Sequence, residues 1–305
     1  MEQNQVSQMA LINTYNRGYH SVNDKPKVFD DFLADQLLTE EERKYFDKQL
    51  ETHLQSVDPA IMAAFPDQAA ALAWIMQSGP GLPLILSRAR YTEDSLKEAA
   101  GQGVKQYVIL GAGMDSFAFR CPDLVEKLSV FECDYPSMQE FKRQRLAKLG
   151  WEIPQGLQFV PVDFTTDNLA GALKNSSYDL QALSFFSWLG VTYYLSLDEI
   201  YTSLRTIAGI SPRGSMVIFD YFDPDAFDSN KAAQRVQNLL MLAQQVDEPM
   251  KSAIEPSTLS EELAALGMRL HENLNPSDIQ KRYFYGRTDG YYATEHAHFA
   301  YAVVE

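Results

Sequence analysis

Cysteine is almost missing from this chain: Cys121 and Cys133 are the only two in 305 residues. They stand 12 apart, with no Cys-x-x-Cys spacing and no histidine cluster beside them. That excludes a disulfide framework and an ordinary zinc site, and it points to a reducing, cytoplasmic setting. Long apolar runs are lacking too. Nothing approaches the roughly 20 residues of a membrane span, so no membrane partner is expected. Positive charge is scarce, with 26 Lys plus Arg against 41 Asp plus Glu and a net charge of -15. Such a surface repels a polyphosphate backbone, which counts against nucleic acid and leaves a small molecule as the expected partner. The apolar share of 46% is enough for one large α/β domain.

What is present centres on Gln106-Tyr107-Val108-Ile109-Leu110-Gly111-Ala112-Gly113-Met114-Asp115. The apolar run reads as a strand buried on both faces, and the two glycines end it in a turn without side chains. Bare backbone lets a ligand lie directly on it. A second strand, Ser129 to Cys133, ends in Asp134, 21 residues after Gly113, where a carboxylate can accept from both ribose hydroxyls. A third, Leu157 to Val162, ends in Asp163-Phe164, a carboxylate and a ring suited to the amine and the face of adenine. Three successive strand ends thus offer the pieces of an adenosine site. The dinucleotide fingerprint needs a third glycine, but Ser116 stands there, Asp115 precedes it, and no Lys or Arg falls between Gly111 and Phe119. S-adenosylmethionine (SAM), a phosphate-free sulfonium, fits that turn better than NAD.

Residues 1–84 read as helical and form a lid over the ligand; residues 85–305 hold the α/β core, with a helical insertion at about 225–257. Phe29 to Leu38 has helical spacing, and Asp58-Pro59 and Pro66-Asp67 are helix starts. Gly79 to Pro83 is a connector, and Leu84 to Ala99 is the helix leading into the first strand. Arg88 on that helix can hold a carboxylate with its fork. Ala182 to Phe186 is the fourth strand, and the following segment, Ser187 to Leu195, faces the transferable group across the crevice. Ser196 and Glu199 make a capping box. Strands follow at 215–221, 268–274 and 297–304. Met114, Trp188, Tyr193 and Tyr194 are candidates for an acceptor pocket, with burial in the core as the alternative for each. His20 and His298 are possible bases only if the acceptor is a phenol.

Arg88-Ala89-Arg90-Tyr91, Val108 to Arg120, Phe131 to Pro136, Val160 to Phe164 and Gly190 to Leu195, taken in order, resemble the leucine carboxyl methyltransferase family. That family of SAM-dependent enzymes includes bacterial polyketide O-methyltransferases of the tetracenomycin type. The resemblance runs over roughly residues 25–305 and implies a class I methyltransferase fold, a Rossmann-like seven-stranded sheet with the last strand antiparallel; residues 1–305 are read as a single domain. It also implies that Arg88, Gly111, Gly113, Asp134, Asp163 and Phe164 bind SAM, with Arg17 as an amino-terminal basic contributor. One departure stands out: the family has Glu where this chain has Leu189. The contact to the methionine amino group is therefore unassigned. A small-molecule acceptor, methylated on a carboxylate or hydroxyl, is expected over the carboxyl-terminal leucine of a phosphatase. A SAM-binding protein without catalysis and an NAD-dependent oxidoreductase are the competing readings.

Overall fold

The computed structural model describes residues 6–57, 59–165 and 169–305. Seven strands form one sheet in the order β3-β2-β1-β4-β5-β7-β6. They are β1 (Gln106–Leu110), β2 (Ser129–Asp134), β3 (Leu157–Pro161), β4 (Ser184–Trp188), β5 (Met216–Phe222), β6 (Met268–Leu274) and β7 (Ala297–Val304). β1 pairs in parallel with β2 and β4, and β7 runs antiparallel to both β5 and β6. The doubly wound class and the antiparallel last strand are as expected.

All five residues of β1 are buried. Alternation splits them: Tyr107 and Ile109 enter one core with Phe185, Ile218 and Phe299, while Val108 and Leu110 enter another with Phe186, Val217 and Phe219. Each such side chain contributes about 1.5–3 kcal/mol by leaving water. Burial on both faces therefore fixes the register and the place where β1 ends. That end, beside the reversal of strand order between β1 and β4, is where open α/β sheets bind ligands.

The amino-terminal segment is helical: α1 (Gln8–Asn23), α2 (Glu40–Ser56), α3 (Pro59–Met62), α4 (Gln68–Ser78) and α5 (Gly81–Gly101). Asp67 caps α4 by accepting from the Ala70 N–H, as its sequence suggests. Asp58, read as the cap of α3, lies outside the described residues. Four expectations change. Phe29 to Leu38 is a turn with only a short 3-10 stretch at Ala34–Leu37, because Asp30 and Asp31 are committed to tertiary partners, Ser21 and Arg17. α5 begins at Gly81, since Pro83 lies in the first turn, where a missing N–H costs nothing. The segment 225–257 contains one helix of three turns, Gln234–Gln245, rather than a longer one. β4 also runs two residues beyond Phe186, because Ser187 pairs with Ile109 and Trp188 with Phe219. Among the described residues no single helix is long and apolar enough to cross a membrane.

Candidate functional site

A cavity of about 260 Å³ opens over the carboxyl end of β1. Its floor is Gly111 to Asp115, its sides come from α5, Asp134, Phe164 and the segment after β4, and its roof comes from α1 and residues 247–251. Gly111 and Gly113 hold φ of +72° and +50°, a region in which a side chain is strained. A Cβ on Gly111 would stand 2.3 Å from Val191 Cγ2, and one on Gly113 would stand 3.3 Å from Ala10 Cβ. The turn is thus bare because Val191 and helix α1 press close on either side.

Asp134 lines the cavity at the end of β2. Its carboxylate accepts from Gly113 N–H at 2.5 Å and Tyr135 N–H at 2.7 Å, which ties the turn to the acid. Burial pushes its pKa up, against the pull of those two N–H donors and Lys142. Further donors from ligand hydroxyls would favour the ionised form again. Phe164 lines the cavity, but Asp163 is not among the lining residues. Asp163 accepts from the Thr165 N–H and hydroxyl at 2.9 and 2.6 Å and takes a hydrogen bond from Tyr135. It shapes the loop that presents Phe164.

Arg88 lines the cavity and is buried. Its Nη1 donates to Asp220 at 2.7 Å and to the Tyr193 hydroxyl at 3.0 Å. Arg17 also reaches the cavity, with Nε on Asp31 at 2.8 Å and Nη2 on the Met114 carbonyl at 2.9 Å. Asp31 also accepts from Ser116 at 2.5 Å and faces Arg120. Despite its burial, Arg17 and Arg120 hold the Asp31 carboxyl below the usual range. Arg120 in turn pairs with Glu93. Asp31, Glu93, Arg120 and Asp220 were not legible as site residues, since nothing in their local sequence brings them to the turn.

The four acceptor candidates separate. Met114 and Tyr194 line the cavity. Trp188 does not: it is fully buried in the core and stands behind Phe164, ring centroids 6.3 Å apart. Tyr193 is also off the wall, since its hydroxyl serves Arg88 and burial pushes it up to about 12. The burial of Trp188 follows from β4 continuing to that residue, which turns its side chain into the sheet packing. His20 is saturated, with Nδ1 at 2.8 Å from both Asp24 and Tyr291 and Nε2 accepting the Val28 N–H. His298 faces Asp223 and stacks on Tyr221. Neither lines the cavity.

Among the described residues the lining carries six carboxylates (Asp31, Glu93, Asp115, Asp134, Asp247 and Glu248) and four cations (Arg17, Arg88, Arg120 and Lys251), a formal balance of -2. Asp115 accepts the Phe117 N–H at 2.6 Å and so already occupies the amine end of the short helix after the turn. A dinucleotide pyrophosphate needs that place for itself. A cationic, phosphate-free adenosyl ligand meets no such conflict. The Thr92 hydroxyl, buried on the lining without a hydrogen-bond partner among the described residues, offers a further polar contact.

A seven-stranded doubly wound sheet with an antiparallel last strand, a bare turn after β1 and an acid after β2 define the class I methyltransferase type of fold. Within it, residues 10–208 match the leucine carboxyl methyltransferase family, and the chain belongs to that family. It is 35% identical over 314 residues, 99% of each chain, to YktD of Bacillus subtilis (strain 168), a protein provisionally named as a SAM-dependent methyltransferase. It is 30% identical over 177 residues to Rv1729c of Mycobacterium tuberculosis, named in the same way, covering 58% of this chain and 54% of that one. Among solved structures, a protein from Thermobifida fusca overlaps with a TM-score of 0.55 at 14% identity, over 79% of this chain and 89% of that one. A protein from Streptomyces avermitilis gives 0.53 at 14% identity, over 79% and 92%. At that identity the two structures establish the fold alone. The chain is a SAM-dependent methyltransferase by family.

Proposed function

We propose that this methyltransferase methylates an oxygen, a carboxylate or an acidic hydroxyl, on a small molecule. The observation that carries the cofactor side is the cavity floor: main chain from Gly111 to Gly113, clamped to Asp134 and closed to phosphate by Asp115. Asp134 would hold the ribose, Phe164 the adenine face, and the open edge of Arg88 the methionine carboxylate. When bound, SAM supplies a methyl group made electrophilic by the sulfonium.

The remaining work belongs to the chain. Transfer is an in-line displacement, and holding acceptor and methyl group in line is worth roughly 7–11 kcal/mol. α1 and residues 247–251 line the cavity on the side away from the turn. They meet through Glu248, which accepts from the Ser7 hydroxyl at 2.8 Å and the Met9 N–H at 3.1 Å. Lys251 lines the cavity near its mouth without an ion pair among the described residues, and it suits an anionic acceptor. No histidine is on the described lining, which favours an acceptor oxygen that arrives ionised over one that needs a base.

Two measurements test this. Calorimetry should show S-adenosylhomocysteine binding that Asp134→Ala weakens by about 100-fold, the loss of two hydrogen bonds to a charged acceptor at roughly 1.5–3 kcal/mol each. Methyl-labelled SAM should then label aromatic acids or acidic phenols. Binding of NADH in place of the thioether, or label found only on nitrogen or carbon, would sink the reading. Binding without transfer to any acceptor would favour a non-catalytic SAM-binding protein.

A further inference from the structure

We propose that Asp220 and Tyr193 are positioning residues that reserve one edge of Arg88 for the amino-acid end of the cofactor. The proposal rests on the SAM reading above. Arg88 is buried, and its Nη1 is shared between Asp220 Oδ2 at 2.7 Å and the Tyr193 hydroxyl at 3.0 Å. Asp220 is 1% exposed, and its second oxygen accepts the Gly190 N–H at 2.6 Å. Gly190 has a φ of +74°, and a Cβ there would stand 2.6 Å from Arg88 Nη2. The guanidinium therefore lies against bare backbone and cannot turn that way. Nε and Nη2 make no hydrogen bond to protein among the described residues, while Arg88 lines the cavity. One edge is spent on the protein and the other is left for a ligand carboxylate, which a planar fork binds with two bonds.

One carboxylate thus fixes both the arginine and the Gly190 backbone beside it, so the geometry of the subsite depends on a side chain that never reaches the ligand. An amide in its place presents one acceptor and one donor. Either the Gly190 N–H or the Arg88 Nη1 then faces an N–H, and the fork shifts.

The test is calorimetry on the full chain with S-adenosylhomocysteine and 5′-methylthioadenosine, which share the adenosine and the thioether but differ in the amino-acid end. Asp220→Asn is expected to weaken the first by about tenfold or more, the scale of one charge-assisted bond, and the second by less than about twofold. Tyr193→Phe, which leaves the ion pair in place, is expected to weaken the first selectively by about threefold, and it decides the matter if Asp220→Asn does not fold. Equal losses for both ligands, an unchanged ratio, or tighter binding of S-adenosylhomocysteine would overturn the positioning role. If the wild-type chain binds neither compound, the SAM reading fails and this proposal falls with it.

Discussion

Gly111 and Val191 are in contact across the cavity floor so closely that a Cβ on the glycine would lie 2.3 Å from Val191 Cγ2. The contact couples the turn after β1 to the segment after β4. Gly111→Ala meets two costs, ~1–2 kcal/mol for the left-handed backbone and ~1–3 kcal/mol for overpacking. Chemical denaturation should show a loss of about 2–5 kcal/mol and calorimetry a weaker cofactor. Adding Val191→Ala should recover the packing part only. Full recovery by the double variant would show that the φ of +72° is not what demands glycine.

Asp31 joins α1 to the turn through Arg17 on one side and Ser116 on the other. Asp31→Asn leaves Arg17 without its buried counter-charge and takes from Arg120 the second of its two, Glu93 being the other. Breaking such a pair costs about 3–5 kcal/mol, and the melting temperature should drop by roughly 5–8 °C. The carboxyl is held below its usual range, so its stabilisation is present above its unfolded pKa of about 3.9 and is lost as pH falls through the lower folded value. The gap between wild type and variant should therefore be constant from neutral pH down to about 4 and close only below that.

Glu132 on β2 gives the opposite slope. It is fully buried against Lys142 at 2.5 Å, and burial raises its pKa to about 7 in spite of that lysine. A carboxyl whose folded value lies above its unfolded one stabilises the protein while protonated. That contribution is complete below the unfolded value near 4.3 and disappears as pH rises through about 7. Melting temperatures taken from pH 5 to pH 8 should fall more steeply in the wild type than in Glu132→Gln. Parallel curves would mean that Glu132 stays ionised throughout.

His20 on α1 has both ring nitrogens engaged, one by Asp24 and Tyr291 and the other by the Val28 N–H. His20→Gln should lower the melting temperature while leaving the pH dependence of kcat, measured well below that temperature, with the same shape as the wild type. Loss of the acidic limb from the profile would place a general-base role on this residue after all.

The sheet with its antiparallel last strand came with the family resemblance, while the glycine turn, the acid at the end of β2 and the capping of Ser196 by Glu199 were legible because each depends on neighbours in the sequence. Phe29 to Leu38 misled, since its helical spacing competes with Asp30 and Asp31 binding distant partners. Trp188 misled because the end of β4 is set by pairing with β1 and β5, and that register is invisible in the segment itself. Asp220 carried no signal at all: a lone acid within an apolar strand becomes informative only when Arg88, 132 positions earlier, is found beside it.

The sequence by itself determined the doubly wound sheet and the unsubstituted turn at its centre, because apolar periodicity and glycine act over a few residues. Only the tertiary structure decided which charges meet at that turn. Arg17 with Asp31, Arg88 with Asp220 and Glu93 with Arg120 come from separate elements. Their pairing follows from the cost of burying any one of them alone, and that cost exists only once the chain has folded around them.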